Sequence, residues 1–155
     1  ELAFSRTNLA QLARDALATV RPAAEKGGNT LVLELPDADP HWETDPRKLT
    51  QILLNLLSNA AKFTARGTIT LSLQVEGDDV CFAVTDTGNG IAPERLDELF
   101  QPFRQLDRHH GQAGTGLGLS LSRRLAILLG GRLDVQSTRG EGSTFRLTLS
   151  AAGTP

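Results

Sequence analysis

From Thr7 to about Lys26 apolar residues return at helical spacing, at Leu9, Leu12, Ala13, Ala16, Leu17 and Val20, with Asn8 placed to cap the first turn. Pro22 is expected to end or kink this helix, and Gly27-Gly28 closes the segment. Leu31, Leu33 and Leu35 alternate with Val32 and Glu34, the pattern of a strand that buries at least one face. Asp45-Pro46 reads as a helix start, because Asp caps well and proline is pre-organised for the first helical position. The helix it opens, from Pro46 to about Ala65, gathers Leu49, Ile52, Leu53, Leu56, Leu57 and Ala60 on one side. Two alternating runs follow, Thr68–Glu76 and Asp79–Asp86, and the tight Gly77-Asp78 turn between them predicts a β-hairpin.

After Asp86 the texture changes. Ten of the fifteen glycines fall between Gly88 and Gly142. A short helix over Pro93–Phe100 and a longer one over about Leu117–Leu129 interrupt them. Arg132–Ser137 and Ser143–Ser150 read as a closing pair of strands around a Gly140–Gly142 turn. A helix layer on one face of a mixed sheet accommodates this order, which places the chain in the α+β class as a two-layer α/β sandwich.

Composition narrows the function. A chain of 155 residues with 39% hydrophobic and 22% charged content is expected to be one globular domain. Sixteen Lys and Arg against eighteen Asp and Glu leave a net charge of −2, so no bulk field draws it to nucleic acid or an anionic membrane. No apolar run reaches the length of a membrane span, and no signal-peptide layout opens the chain. The one cysteine, Cys81, forms no internal disulfide and suits a reducing, cytoplasmic setting. The absence of methionine leads us to expect a fragment of a longer protein.

Three stretches carry candidate chemistry. On the Pro46–Ala65 helix, Gln51, Asn55, Asn59, Lys62 and Arg66 fall within about 80° of one another at helical spacing. A solvated polar stripe explains such a face as well as a site does. Two asparagines at i and i+4 tilt the balance, because Asn is a poor helix former and its amide oxygen is a hard ligand suited to magnesium. The run Thr85-Asp86-Thr87-Gly88-Asn89-Gly90-Ile91 leaves a strand with a carboxylate able to accept from an exocyclic amine, beside glycines that let a flat ring approach the backbone. An ordinary turn would look similar. Gly114-Thr115-Gly116-Leu117-Gly118-Leu119 opens the long helix, where backbone N–H groups and the helix dipole favour phosphate. It lacks the Gly-Lys-Ser/Thr ending of a P-loop and the spacing of the dinucleotide fingerprint. Each stretch alone is weak; together they supply what a magnesium–purine nucleotide needs.

The segment Gln51-Ile52-Leu53-Leu54-Asn55-Leu56-Leu57-Ser58-Asn59-Ala60-Ala61-Lys62-Phe63-Thr64 closely resembles the asparagine box of sensor histidine kinases. Asp86–Ile91 resembles their first glycine box, Leu99–Phe103 their phenylalanine box, and Gly114–Leu119 their second glycine box. Gly140–Phe145 resembles their closing strand-turn motif, and the five motifs stand in family order over about residues 5–150. The resemblance implies the Bergerat ATP-binding fold of GHKL proteins, a mixed sheet of about five strands backed by three helices. It implies Asn59 as the magnesium asparagine, Lys62 as a phosphate contact and Asp86 as the adenine-binding carboxylate, with Gly88 and Gly90 beside it. Phe63 and Ile91 would lie against the ring, and Thr144 would join a water network at adenine. Gly114, Thr115, Gly116, Leu117 and Gly118 would meet the phosphates, and Phe103–Ala113 would form the ATP lid, with Arg108 as its candidate γ-phosphate contact.

Hydrolytic relatives carry a glutamate one turn before the magnesium asparagine, where this chain has Asn55, and an amide cannot act as a general base. That favours transfer over hydrolysis and places Asn55 with Lys62 in the catalytic set. The family's phosphoacceptor histidine lies on a separate dimerisation domain. None of His41, in a Pro40-His41-Trp42 loop, His109 or His110 has an acceptor's helical acidic context. The expected partners are therefore that domain in a homodimeric parent and a response regulator or receiver domain, with this fragment monomeric. A nucleotide-binding regulatory module without transfer, or a protein serine kinase on the same fold, would carry the same boxes. Cys81 and Trp42 read as packing residues.

Overall fold

The structure, a computed structural model, describes residues 1–88, 118–138 and 140–150. The elements are β1 (Ser5–Asn8), α1 (Leu9–Lys26), β2 (Thr30–Glu34), β3 (His41–Thr44), α2 (Pro46–Phe63), β4 (Thr68–Glu76), β5 (Asp79–Asp86), α3 (Gly118–Leu128), β6 (Gly131–Thr138) and β7 (Gly142–Ser150). The expected short helix Pro93–Phe100 lies outside the described residues. Among the described residues no helix is long and apolar enough to cross a membrane.

Five strands form one sheet in the order β2-β4-β5-β7-β6. β2 runs parallel to β4 and the other neighbours are antiparallel, so the sheet is mixed. Alternation along the strands sends Ile69, Leu71, Val84, Phe82, Leu133, Phe145 and Leu147 into one core with the apolar faces of the three helices. The two-layer sandwich is therefore the arrangement that the order of elements predicts.

Both sequence-predicted caps form. Asn8 Oδ1 accepts from the Gln11 N–H at 3.0 Å, and α1 then runs through Pro22 to Lys26 rather than ending there. Pro22 and Ala18, whose carbonyl loses its helical donor, are both on the exposed side, where water can replace the bond. α2 ends at Phe63, not Ala65. Arg66 lies past its end with φ +55°, off the polar stripe that helical spacing assigned to it.

A second, two-stranded sheet pairs β1 with β3, an element absent from the sequence reading. His41 accordingly starts a strand and is not in a loop; its Nδ1 lies 3.0 Å from Asp39 O. Trp42 packs on the edge of the core as expected, and its buried indole Nε1 has no hydrogen-bond partner among the described residues. Cys81 is buried in β5; burial raises its thiol pKa, and its Sγ donates weakly to Phe82 O at 3.8 Å.

The segment leading into the β1–β3 sheet and the start of α2 meet at Asp45, which is buried immediately before α2. Its Oδ1 accepts from the Arg47 and Lys48 N–H groups at 3.0 and 3.2 Å, and its Oδ2 from the Ala3 N–H at 2.8 Å. Burial pushes the carboxyl up, but the three backbone donors outweigh it and hold the pKa below the ordinary 3.8. A depressed carboxylate contributes stability that is complete above the unfolded value and is lost as pH falls through the folded one. Asp45→Ala is expected to cost about 1–2 kcal/mol in urea unfolding at neutral pH. The gap to the native chain should close as pH falls below 3.8, and a gap independent of pH would contradict this account of the cap.

Candidate nucleotide site

α2 presents its leucine face to the core, and packing of Leu49, Ile52, Leu53, Leu56 and Leu57 sets the rotation of the helix about its axis. That rotation leaves Asn55, Asn59 and Lys62 on a partly buried stripe beside the core, on one line as their spacing predicts. Lys62 Nζ lies 5.9 Å from the ring centroid of Phe63, within cation–π reach. Phe63, the last helical residue, is 41% exposed, a large apolar side chain left open to solvent.

Thr64 leaves the helix in an extended conformation and is clamped from behind. Asn29, buried between α1 and β2, donates to Thr64 O at 2.8 Å and accepts from the Gly67 N–H at 2.9 Å. Thr87 closes the other side, accepting the Thr68 N–H on its hydroxyl at 3.0 Å. This double clamp delivers the Thr64 side chain to the end of β5.

There Asp86 is buried, 8% exposed, with its Oδ1 accepting from the Gly88 N–H at 2.9 Å. Burial raises the carboxyl above its ordinary 3.8, and the Gly88 N–H, the nearby Thr64 hydroxyl and the Ser143 N–H offset this only in part. Thr64 Oγ1 is buried beside the carboxyl and, among the described residues, meets no other hydrogen-bond partner. Gly88 completes the cluster: a Cβ there would meet Phe63 O at 2.7 Å, Thr64 Oγ1 at 2.9 Å and Asp86 Oδ1 at 3.0 Å. Glycine is required because polar atoms from two segments converge where a side chain would stand. At Gly142, φ is +114° and a Cβ would strike the Asp86 carbonyl, so β7 approaches β5 here only through glycine.

A cleft of about 640 Å³ opens at this end of the sheet, lined by Asp86, Ser137, Glu141, Gly142, Ser143 and Thr144 among others. Its size suits a small ligand. Thr144 reaches it from the wrong face for the role that resemblance implies. Asp86 pairs with Ser143, whereas Thr144 pairs with Thr85, its hydroxyl 3.2 Å from the Thr85 hydroxyl on the opposite side of the sheet. Ser143 is the residue beside the carboxyl, its hydroxyl 2.7 Å from that of Ser137. A period of two means that a shift by one residue exchanges faces. Of the remaining sequence-predicted residues, Gly118 begins α3, whereas Gly90, Ile91, Arg108, Gly114, Thr115, Gly116 and Leu117 lie outside the described residues, as do His109 and His110.

The chemistry of the cluster suits a purine nucleotide. A buried carboxylate with a hydroxyl beside it can offer an acceptor and a donor to a ligand edge. Among the described residues no group of three or more His, Cys, Asp or Glu side chains gathers to hold a metal. An amide oxygen on the α2 stripe is a hard ligand of the kind accepted by a cation that phosphate oxygens also hold.

A carboxyl whose pKa is raised on folding costs stability above its unfolded value, a penalty absent below 3.8 and complete once pH exceeds the folded value. Asp86→Asn is therefore expected to raise the thermal midpoint of the empty chain at pH 7, with the gain vanishing below 3.8. Scanning calorimetry at the two pH values tests this; an unchanged or lower midpoint at pH 7 would show that the burial cost is not paid by this group.

Residues 44–153 match the family of histidine kinase-, DNA gyrase B-, and HSP90-like ATPases. The chain is 45% identical over 145 residues to the circadian input-output histidine kinase CikA of Synechococcus elongatus, covering 89% of this chain and 19% of CikA. The aerobic respiration control sensor protein ArcB of Escherichia coli is 47% identical over 112 residues, covering 70% of this chain and 14% of ArcB. The chain thus spans less than a fifth of either relative. Full-length ShkA in complex with AMPPNP superposes with a TM-score of 0.86 at 33% identity, covering 96% of this chain and 31% of that one. The nucleotide-free catalytic domain of histidine kinase ThkA gives 0.85 at 26% identity, over 99% of this chain and 97% of that one. The sandwich of three helices on a five-stranded mixed sheet is the Bergerat fold that the resemblance implied. Fold, matched segment and the cluster around Asp86 lead to one conclusion: the chain belongs to the histidine kinase-, DNA gyrase B-, and HSP90-like ATPase family, as a histidine kinase catalytic, ATP-binding domain.

Proposed function

We propose that the chain binds ATP with magnesium at the Asp86 cleft and presents the γ-phosphate to a histidine on a separate dimerisation and phosphoacceptor domain of its parent protein. The observation that carries this reading is the buried Asp86 carboxyl, with the buried Thr64 hydroxyl and the side-chain-free Gly88 beside it. Asp86 would accept from the exocyclic amine of adenine, and Thr64 and Ser143 would satisfy the ring edge directly or through water. Phe63 would cover an apolar face of the base at the rim. Asn59 would offer its amide oxygen to the cation, and Lys62 a point charge to the phosphates. Magnesium, when bound, supplies neutralisation of the charge on the phosphate oxygens.

In this reading the acceptor imidazole forms a P–N bond as the bond from the γ-phosphorus to ADP breaks, and the phosphoryl group passes on to a response regulator or receiver domain. Asn55 holds no base, so water at the same place gains no activation from it. A homodimeric parent would bring the acceptor helix to this domain, and proximity rather than acid–base chemistry would supply most of the rate.

Calorimetric titration should show binding of ADP and ATP to the chain alone. Asp86→Ala should weaken both by about 1.5–3 kcal/mol, the value of a hydrogen bond to a charged group. Asn59→Ala should remove only the magnesium-dependent part. No adenine-nucleotide binding at millimolar concentration would sink the proposal. With γ-labelled ATP the chain alone should stay unlabelled, and adding the parent's acceptor domain should give an acid-labile phosphoprotein.

A further inference from the structure

We infer that Ser122 is a positioning residue that orients Asn55, locking the metal-side stripe of α2 to the first turn of α3. The Asn55 side-chain NH₂ forks across that turn, donating to Gly118 O at 3.3 Å and to Ser122 Oγ at 3.0 Å. Its two protons meet two acceptors one helical turn apart. A backbone carbonyl can only accept, so the amide end facing Gly118 must be the nitrogen and the two ends of Asn55 are not interchangeable. The amide oxygen is left as the free end, on the same stripe as Asn59 one turn later. This inference rests on the nucleotide reading, since the thing positioned is an oxygen for a phosphate-bound cation.

Ser122 shows the local cost of the arrangement. It is 0% exposed in the middle of a helix, where alanine is the better helix former and an unbonded hydroxyl is penalised. Its bond to Asn55 spans 67 positions of sequence and is the reason a hydroxyl is tolerated there. The fork also ties α2, which carries Asn59 and Lys62, to the start of α3, whose N-terminal backbone dipoles favour phosphate. Side-chain and backbone ligands of one nucleotide are thereby held in register.

The test uses the whole chain with ADP and magnesium as probes. Ser122→Ala should fold and bind ADP without magnesium as the native chain does, yet need about tenfold more magnesium for the metal-dependent gain in affinity. Without nucleotide, amides Ser122 to Leu125, which close the first turn of α3, should exchange about fivefold faster. Asn55→Ala should speed the same amides, and adding Ser122→Ala to it should produce no further increase. A native magnesium requirement in Ser122→Ala, or additive effects on exchange, would overturn the inference. If the native chain binds no ADP, the functional reading fails, whereas the exchange comparison still judges the fork.

Discussion

The setting of α2 is the constraint on which the rest of the structure depends. One helix supplies both the leucine face of the core and the polar stripe beside it, so its rotation cannot be optimised for one without the other. Turning it by a single residue, about 100°, would drive Asn55 or Asn59 into the leucine layer, unpaired. Core packing therefore does for the site what a dedicated scaffold would otherwise do. The start of the helix is held as firmly as its middle. Asp45 gathers donors from the first helical turn and from the chain's N-terminal segment, so the β1–β3 sheet and α2 share one buried carboxylate.

Asp45 and Asp86 are both buried carboxylates, and their surroundings push them in opposite directions. Asp45 meets three backbone donors within the folded chain and is stabilised as an anion. Asp86 retains a net burial penalty despite donors from Gly88 and Ser143. Asp45 is satisfied by its own fold, whereas the donors around Asp86 only partly offset its burial. In the proposed reading, this contrast is what distinguishes the helix cap at Asp45 from a ligand-binding role at Asp86.

Local pattern made α1, α2, the β4–β5 hairpin and both helix caps legible, because each is specified by residues within a few turns of one another. The β1–β3 sheet was not legible. Ser-Arg-Thr-Asn and His-Trp-Glu-Thr show no long apolar alternation, and their pairing spans some three dozen residues. Asp86, Gly88, Asn55 and Asn59 could be picked out from composition and spacing, but not what each touches. Ser143 was missed in favour of Thr144, since a motif aligned one residue off exchanges the faces of a strand. The Asn55 fork was invisible too, as nothing near Asn55 in sequence announces Ser122.

The Asn55 fork also bears on why a carboxylate is absent there. A glutamate at this position would turn an oxygen toward the Gly118 carbonyl, two acceptors facing each other where a donor now stands. In this chain the contact between α2 and α3 therefore depends on an amide at position 55. A different feature has a practical use. The chain's one thiol, Cys81, is buried in β5 with its reactive thiolate form disfavoured. A cysteine introduced at Ile127, 65% exposed on α3, would then be the sole fast-alkylating sulfur. A single dye attached there would report how α3 responds as the cleft fills, with no need to mutate the native cysteine away.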